Sequence, residues 1–353
     1  MRVRNVLFLG CLSLLSLSAH AETVSNLYQV LEPVSGQSAE QRTEATQRAL
    51  QTLVLRLTGD PKAYASAGLA GVRKDPQQII SQYGYDAGPP ESLQVDFDMA
   101  STDAALRGAG LPLWGSNRPS VLTWWLTDTV DGASLVGDGQ AAAQPLRRAA
   151  QHRGLPLRLP LADLQEQLVG TAKNLEGSDA QPLREASERY GADALVAVHA
   201  REDGGKWQAT WRLWQGEQKA QGKAEGAAPA ELADNVMAAI SQRMAERFAV
   251  KAGVSSDLVL LVEAMNLERY AQLGRLLEPF GARLQTVDGA TATYQVSGSP
   301  EQLRAQLSLG KLRELPVQAS PAAPAGAAAP ATPATVPAPV TVPTPAPGLR
   351  FSW

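Results

Sequence analysis

The leader at the start of the chain constrains its fold most, because it contains the only cysteine of the sequence. Two arginines precede an apolar stretch over residues 6–17, and small residues then form the pattern that signal peptidase reads. Residues 1–21 are therefore predicted to be a cleavable signal peptide, with the exported chain starting at Glu22. Because Cys11 leaves with the leader, no disulfide can stabilise the mature chain, and its domains must be stable through buried apolar surface.

The dipeptide Gly10-Cys11 allows an alternative, because a bacterial lipoprotein carries a cysteine after a small residue at the end of its leader. The apolar run before Cys11 is short and another apolar run follows it, which favours cleavage after Ala21. No later segment of the sequence has the ~20 uninterrupted apolar residues of a membrane span. We expect a periplasmic protein with no transmembrane span in the mature chain.

The formal charge argues against one class of partner, and the length of the chain indicates more than one domain. Removing the two leader arginines changes the formal net charge from −3 to −5. Because a nucleic-acid-binding chain shows a basic stripe, this mild acidity argues against nucleic acid as a partner. The chain is also longer than one ordinary domain needs, and the pattern of helices and strands divides it into three.

Residues 22–112 are predicted to form an α+β domain. Ser38 and Gln41 have the spacing of a capping box at the start of a helix. Apolar residues between positions 45 and 57 recur at helical spacing, and a Gly-Asp-Pro sequence then ends the helix. Residues 93–99 alternate between apolar and polar, which is typical of a half-buried strand.

Residues 119–252 are predicted to form an α/β domain with a mixed sheet. Apolar runs at 121–126 and 192–198 predict buried strands separated by helices, followed by a hairpin and a long amphipathic helix. Pro145 lies inside the predicted helix 140–153 and must either kink it or mark its true start.

Residues 256–318 have the order strand, helix, strand, strand, helix, strand, which predicts a ferredoxin-like domain whose last strand lies within 312–317.

Residues 319–348 are almost wholly Ala, Pro, Thr and Val without charge, so we expect a disordered tail with polyproline character. Residues 349–353 then restore aromatic side chains and a charge. The fold class is therefore α/β and α+β, with small mixed-sheet domains in tandem.

The junction between the first two domains, residues 110–119 (GLPLWGSNRP), resembles an exported proteobacterial family, the domain of unknown function 2066. The sequences LVLRLTG at 53–59 and RGLP at 153–156 are similar to that family too. The resemblance covers most of the mature chain up to about Val250. It implies an exported compartment and no agreed activity.

The order of elements in residues 119–252 is also similar to the amino-terminal domain of TolB and to the lipoprotein activators of peptidoglycan synthases. Those domains are non-catalytic binding modules. No sequence motif accompanies this likeness, so it is an analogy of fold.

A structural junction is predicted at Trp114, Asn117, Arg118 and Pro119, between the first two domains. We expect Trp114 to pack there. Arg118 is expected either to stack on the Trp114 ring or to pair with an acid, and either contact would hold the angle between the domains.

Two groups of aromatic residues are candidate interaction sites. Trp207 and Trp211 share one face of a predicted strand, where exposed rings would stack on sugars or partner side chains; buried sheet aromatics are the commoner alternative. Arg350, Phe351 and Trp353 have the composition of an interface hot spot, which predicts a docking peptide on a flexible tether. An unselected chain end is the alternative, and in both cases removal of residues 349–353 is expected to leave thermal stability unchanged.

Few residues are candidates for chemistry. His152 and His199 remain after cleavage, but neither has carboxylates or cysteines at ligand spacing, which favours surface or structural roles. The glycines of Gly137-Asp138-Gly139 lack the remainder of a phosphate-binding pattern and indicate a turn. We expect no cofactor and no metal.

One run of acids allows a cation site, because alternate carboxylates on a strand share one face. The strand period predicts the same pattern for a solvated face, and the glycine turn of a calcium loop is missing. We therefore interpret this run as a solvated face: Asp96, Asp98 and Asp103.

These features favour a non-enzymatic periplasmic protein that binds or scaffolds another cell-envelope component, either an envelope protein or a peptidoglycan-associated partner. Two alternatives stay open: an envelope hydrolase acting on glycans, and a periplasmic carrier of an apolar ligand. A hydrolase would show paired buried carboxylates with opposed pKa shifts in a cleft. A carrier would show an apolar pocket between domains, and a binding module an exposed apolar patch or groove.

Overall fold

The computed structural model describes residues 22–24, 26–88, 90–251, 257–316 and 348–353. The predicted signal peptide lies outside the described residues, and so does the predicted disordered tail apart from Gly348. In the described part of the chain, helices and strands form three consecutive segments that contact one another around residues 110–119.

The first segment is a three-stranded antiparallel sheet packed on one long helix. Its elements in chain order are β1 (Glu22–Thr23), β2 (Gln29–Pro33), α1 (Ala39–Thr58), the 3-10 helices Ala63–Ala65 and Ala67–Leu69, α2 (Ala70–Lys74), the 3-10 helix Pro76–Ile79, β3 (Ile80–Asp86), β4 (Ser92–Phe97) and α3 (Met99–Gly108). The strand order is β2-β4-β3. Two short strands of the junction follow, β5 (Pro112–Leu113) and β6 (Asn117–Arg118).

Helix α1 begins and ends where its sequence predicts. The Ser38 hydroxyl accepts a hydrogen bond from the backbone N–H of Gln41, and the Gln41 side chain accepts one from Ser38, which completes the capping box. Gly59 ends the helix with a φ of 68°, a left-handed conformation that glycine adopts without steric cost. The helix buries Leu50, Leu53 and other apolar residues against the sheet.

The second segment is a six-stranded mixed sheet with helices on both faces. Its elements are β7 (Val121–Thr129), β8 (Gly132–Leu135), α4 (Ala143–Arg153), β9 (Leu157–Arg158), α5 (Leu164–Val169), α6 (Ala172–Glu176), α7 (Gln181–Ser187), the 3-10 helix Glu188–Tyr190, β10 (Ala194–Asp203), β11 (Lys206–Gln215), β12 (Gln218–Gly226), α8 (Pro229–Phe248) and β13 (Val250–Lys251). The order is β12-β11-β10-β7-β8, and β9 pairs with the start of β7. Strand β7 is parallel to β10 and β9, and the other pairs are antiparallel.

Alternate residues of β7 enter two separate cores, because side chains of a strand point to opposite faces. Val121 and Trp125 pack on the face covered by α4 and α8. Leu122 and Trp124 pack on the other face, against residues of α6 and α7. The apolar run in this part of the sequence therefore reflects burial on both faces.

Pro145 lies in the first turn of α4, which starts at Ala143. The first four backbone N–H groups of a helix have no partner within the helix, so proline removes no hydrogen bond there. Of the two predicted roles for Pro145, a kink inside the helix or a position at its true start, the structure shows the position at the start.

The third segment is a five-stranded sheet. Its elements are β14 (Asp257–Glu263), α9 (Leu267–Leu277), the 3-10 helix Glu278–Phe280, β15 (Arg283–Asp288), β16 (Thr291–Ser297), α10 (Pro300–Leu309), β17 (Arg313–Glu314) and β18 (Leu349–Ser352). The strand order is β15-β16-β14-β18-β17. Strand β18 is parallel to β14 and antiparallel to β17.

The position of β18 corrects the sequence-based expectation for the end of the chain. The predicted split βαβ sheet has four strands, and β18 is a fifth strand between the first and the last of them. Leu349 and Phe351 are buried because their side chains enter the core of this sheet, so Phe351 is not an exposed docking residue in this structure. The composition of residues 349–353 that suggested an interface hot spot is used within the chain itself.

The segments together form a mixed α/β architecture with several sheets, consistent with small α/β domains in tandem. Two short ladders tie them at the junction: β1 pairs with β6, and β13 pairs with β5. Among the described residues, no helix has the length and apolar composition needed to cross a membrane.

Candidate protein-binding surface

Three leucines around α5 are largely exposed to solvent. We call Leu161, Leu164 and Leu168 the leucine surface; their exposed fractions are 64%, 77% and 73%. Leu164 and Leu168 lie four residues apart on the helix and therefore on the same face, and Leu161 precedes the helix. A cluster of exposed leucines is unlike the single apolar residues scattered over most protein surfaces.

A polar network holds α5 in place. The Asp163 carboxylate accepts a hydrogen bond from the backbone N–H of Glu166, and the Glu166 side chain completes a capping box. The Glu166 side chain is buried and also accepts hydrogen bonds from the Arg189 guanidinium and the Tyr190 hydroxyl. The backbone N–H of Leu161 donates to the Tyr190 hydroxyl at 2.9 Å. These contacts give a six-residue helix a defined position that its length alone would not provide.

This network contains one cation, Arg189, and two carboxylates, Asp163 and Glu166. Hydrogen bonding by Arg189 lowers the pKa of Asp163. Burial, together with the hydrogen bond to Glu166, raises the pKa of Tyr190, so this phenol remains a neutral donor at physiological pH. Arg189 as a cation and Tyr190 as a neutral phenol therefore both donate hydrogen bonds to the carboxylates at the base of the leucine surface.

The backbone before α5 adopts a strained conformation. Ala162 is buried and has a φ of 57°, in the left-handed region that costs a non-glycine residue roughly 1–2 kcal/mol. Gly137 allows this close packing, because a Cβ atom there would lie 2.8 Å from the Ala162 side chain. Asp138 donates its backbone N–H to Pro160, so the predicted turn at 137–139 supports the segment that presents the leucines.

The leucine surface suits contact with an apolar groove. Burying a leucine that was exposed contributes roughly 1.5–3 kcal/mol through the hydrophobic effect. Because α5 is already held in place, little conformational entropy would be lost on binding. Sequence reasoning missed these residues, although their spacing of three and four around the Asp163–Glu166 capping box was a usable signal.

The predicted structural junction is buried. Trp114 and Arg118 are 1% and 0% exposed, and the Arg118 guanidinium lies over the Trp114 ring, 4.0 Å from its centroid. Trp114 also stacks on Phe248 of α8, with 6.3 Å between ring centroids. Of the two partners expected for Arg118, the structure shows the aromatic ring.

Arg118 donates to five carbonyl oxygens from three parts of the chain: Trp114, Gly115, Arg56, Arg153 and Gly154. These carbonyls belong to α1, the junction and the end of α4. Burial and the neighbouring Arg56 lower the pKa of Arg118 to about 9, still well above neutral pH. The cation is therefore retained, and it joins the first two segments through hydrogen bonds from all three of its nitrogen atoms.

The two other predicted junction residues are buried as well, and Asn117 reaches the third segment. Its side-chain amide donates to the Arg275 carbonyl, and its own carbonyl accepts from Gln306. Pro119 is buried immediately before β7. The junction thus contacts all three segments.

A cleft of about 400 Å³ lies between the first sheet, α4 and α8. In it the Thr52 hydroxyl donates to Glu32 at 2.8 Å, and Nε2 of His152 lies 3.1 Å from the same hydroxyl. Because the only Thr52 hydroxyl proton is used by Glu32, the imidazole is the donor to Thr52. The cleft is lined by Gln29, Leu31, Glu32, Pro33, Arg56, Asp86, Gly88, Pro90, Ser92, Arg148, Gln151, His152 and Asp234.

The cleft carboxylate is held in its ionised form. Burial alone would raise the pKa of Glu32, but hydrogen bonds from His152 and Thr52, together with the charge of Arg48, lower it. A carboxylate with a lowered pKa is a poor general acid at neutral pH. Thr52 and Glu32 face the same imidazole nitrogen, which differs from a nucleophile–base–acid triad, where the acid and the nucleophile use opposite nitrogens.

A pair of carboxylates, Asp103 and Glu278, lies where the first segment meets the third. Burial raises the pKa of Asp103, which accepts a hydrogen bond from Tyr28 at 2.7 Å. Burial and the charge of Asp103 raise the pKa of Glu278. Both shifts have the same direction, unlike the opposed shifts that separate an acid from a base in glycosidases.

Asp96 and Asp98 do not join Asp103 in one site. Asp98 caps α3 by accepting from Ser101, while Asp96 accepts from the side chains of Gln29 and Gln82. Asp103 is buried and makes the separate contact with Tyr28, so the predicted common solvated face is wrong for this residue. The reason is that Asp103 lies one helical turn beyond the Asp98 cap, outside the strand alternation.

His199 is buried in the middle of β10. Its Nδ1 atom lies 2.9 Å from Glu176 of α6, and Nε2 lies 3.4 Å from Asp128 of β7. Arg201 binds Glu176 as well, so the group joins α6 to the sheet. No group of three or more His, Cys, Asp or Glu side chains suited to a metal ion occurs among the described residues.

The two candidate tryptophans of β11 face the core that α8 covers. Trp211 is 4% exposed and packs closely on Gly222, where a Cβ atom would lie 2.5 Å from the indole. Trp207 is half-buried against the same core. Trp211 is therefore not an exposed stacking platform, because this face of the sheet is covered by a helix.

Comparison with known families finds a match to part of the chain. Residues 21–115 match a family described as Domain of unknown function (DUF8605), and this match ends at the junction. The expected membership of the domain of unknown function 2066 family is wrong, since no match to that family is found. No curated protein and no solved structure matches the chain.

Proposed function

We propose that this chain is a non-enzymatic exported protein that binds another protein of the cell envelope through the leucine surface. The observation that carries the proposal is the exposure of Leu161, Leu164 and Leu168 on a helix held by buried polar contacts. Leucines at this spacing insert into apolar grooves of partner proteins, as amphipathic helices commonly do. The partner is an envelope protein or a peptidoglycan-associated protein with such a groove.

The two other functions have less support. A carrier of an apolar ligand needs an apolar pocket between domains, whereas the cleft between the first two segments has charged side chains in its lining, among them Glu32, Arg148 and Asp234. A glycan hydrolase needs opposed carboxylate pKa shifts in one cleft, whereas Asp103 and Glu278 are both raised and Glu32 is lowered in a different place. The leucine surface is the feature that a binding module requires.

We also propose finer fold assignments. The parallel pairing of β7 with β9 and β10, with helices on both faces, supports a likeness of the second segment to the amino-terminal domain of TolB. The order β14-α9-β15-β16-α10-β17 supports a ferredoxin-like third segment into which β18 is inserted.

Site-specific photo-crosslinking in intact cells tests the binding proposal. A photoreactive residue at position 164 is expected to trap one discrete protein, and Leu161→Gln with Leu168→Gln in the same chain should abolish that product. The matched control is position 130, since Val130 is 95% exposed at a hairpin turn of the same segment. The double variant should unfold within about 0.5 kcal/mol of the wild type, because exposed side chains contribute little to stability.

Equal labelling patterns from positions 164 and 130 would refute the leucine surface as a contact. A discrete product that survives the double substitution would also refute it, because binding would then not depend on the leucines.

Export is tested separately by the intact mass of the protein in a periplasmic fraction. The expected mass is that of a chain starting at Glu22. A mass corresponding to a diacylated Cys11 at the amino terminus would establish the lipoprotein alternative, and recovery of the full-length chain from the cytoplasm alone would contradict export.

A further inference from the structure

The space between β14 and β17 is filled by a strand that comes from far away in the sequence. Strand β18 pairs with β14 from Leu260↔Leu349 to Glu263↔Ser352. On its other side, it pairs with Arg313 and Glu314 of β17, and the Leu315 N–H donates to the Arg350 carbonyl at 2.7 Å. Because β18 lies between β14 and β17 in the strand order of the described residues, the sheet has an acceptor slot for one extended peptide.

We propose that this slot is a strand-addition site in which the carboxyl-terminal strand of a second copy of this chain can replace the chain's own. The occupant is residues 348–353 of the second copy. The exchange would join two copies through the same pairing that each copy makes within itself, as in domain swapping.

The slot recognises side chains as well as backbone. Leu349 and Phe351 enter the core at 7% and 2% exposure, whereas Arg350 and Ser352 alternate to the other face. Arg350 forms an ion pair with Glu263. Main-chain pairing with pockets for alternate side chains is the usual arrangement for peptides that add a strand to a sheet.

The end of the peptide is recognised too. The Arg269 guanidinium of α9 lies 5.4 Å from the centroid of the Trp353 ring, a cation–π distance. The contacts of β18 named above all lie between residues 348–353 and the third segment. A peptide from another chain could make all of them.

The length of the connection would allow the strand of a second copy to reach the slot. Residues 319–348, at about 3.1 Å per residue, could extend to roughly 90 Å if they adopt the polyproline conformation that their composition predicts. A long tether lowers the effective concentration of the chain's own strand at the slot, because this concentration falls as roughly the −3/2 power of tether length. The same tether lets the strand reach a neighbouring molecule.

Engineered cysteines can distinguish the two arrangements, since residues 22–353 contain no cysteine. Glu263 and Ser352 are adjacent in the β14–β18 register and both are partly exposed. One chain carries Glu263→Cys, another carries Ser352→Cys, and the two are mixed under a mild oxidant over a range of protein concentrations. A chain with both substitutions reports the intramolecular pairing.

The expected result is a disulfide-linked heterodimer of the two single variants that increases with protein concentration. Phe351→Ala in the Ser352→Cys chain should reduce it at least tenfold, since the buried anchor is lost. The matched control acceptor is Gln285→Cys, on β15, which does not neighbour β18. It should give no more product than random collision.

Two outcomes would overturn the proposal. One is quantitative intramolecular closure of the double variant with no heterodimer from the single variants at any concentration, which would show that the slot accepts only its own strand. The other is failure of the double variant to close, because the pairing on which the proposal rests would then be absent in solution. Failure of the photo-crosslinking at position 164 would leave this result unaffected, since the two sites lie on different segments.

Discussion

The guanidinium of Arg118 lies 4.0 Å from the centroid of the Trp114 ring, and neither side chain is more than 1% exposed. This pair connects the first two segments, because Arg118 also donates to carbonyls of α1 and of the residues that end α4. A cation without a buried carboxylate partner is expensive to place in a protein interior, so its hydrogen bonds must compensate for lost hydration. The geometry of the first two segments therefore depends on it.

Trp114→Ala is expected to destabilise the protein by roughly 3–5 kcal/mol, through lost contacts with Phe248 and Arg118 and a residual cavity. Urea unfolding followed by circular dichroism measures this. The control is Trp353→Ala, whose ring is only partly buried and should have a smaller effect. If Trp114→Ala unfolds like the wild type yet loses its envelope partner, the residue belongs to a functional surface instead.

Arg118→Lys is expected to cost on the order of 3 kcal/mol although the charge is kept. Lysine has three donors for five carbonyl oxygens, so at least two buried acceptors lose a partner at ~1–3 kcal/mol each. Arg148→Lys on the exposed side of α4 is the control and should change little. Equal stability of the two variants would show that the carbonyl contacts contribute nothing to the folded state.

Glu32→Gln should remove a pH-dependent contribution to stability. The pKa of Glu32 is lowered in the folded state, so its ionised form stabilises the fold above the unfolded pKa of about 4.3, and this contribution is lost as the pH falls through the folded value. Urea unfolding at several pH values between 3 and 7 should show the wild type exceeding the variant by roughly 1–2 kcal/mol at pH 7. The difference should shrink below pH 4.5.

The control for this pH series is Glu44→Gln, an exposed carboxylate on α1. It should follow the wild type throughout. A constant difference between Glu32→Gln and the wild type down to pH 3 would contradict an ionised, hydrogen-bonded Glu32.

Removal of residues 349–353 is expected to destabilise the third segment, contrary to the expectation from sequence, because it deletes β18 from the sheet. Phe351→Ala alone should cost roughly 3–5 kcal/mol, since the ring is 2% exposed. Hydrogen exchange at the backbone amides of β14 and β17 would localise the effect. Ser352→Ala, on the other face of the strand, should leave exchange unchanged.

The sequence by itself determined the local elements. The Ser38–Gln41 capping box and Gly59 set the ends of α1, because capping depends on residues three or four positions apart. The apolar run at 121–126 predicted a buried strand, because a run of apolar residues is also a local feature of the sequence. A junction at Trp114 and Arg118 was also predictable, since a tryptophan and an arginine between two domains have few other places to pack.

Only the tertiary structure decided which surfaces remain free. Leu164 and Leu168 have the spacing of a buried apolar stripe, and they are exposed because, in the part of the chain that the structure describes, no element covers their face of α5. Residues 349–353 have the composition of an exposed docking peptide, but Phe351 is buried because β18 fills the slot between β14 and β17. Periodicity describes which face of an element is apolar, but the covering of that face depends on contacts between residues far apart in the chain.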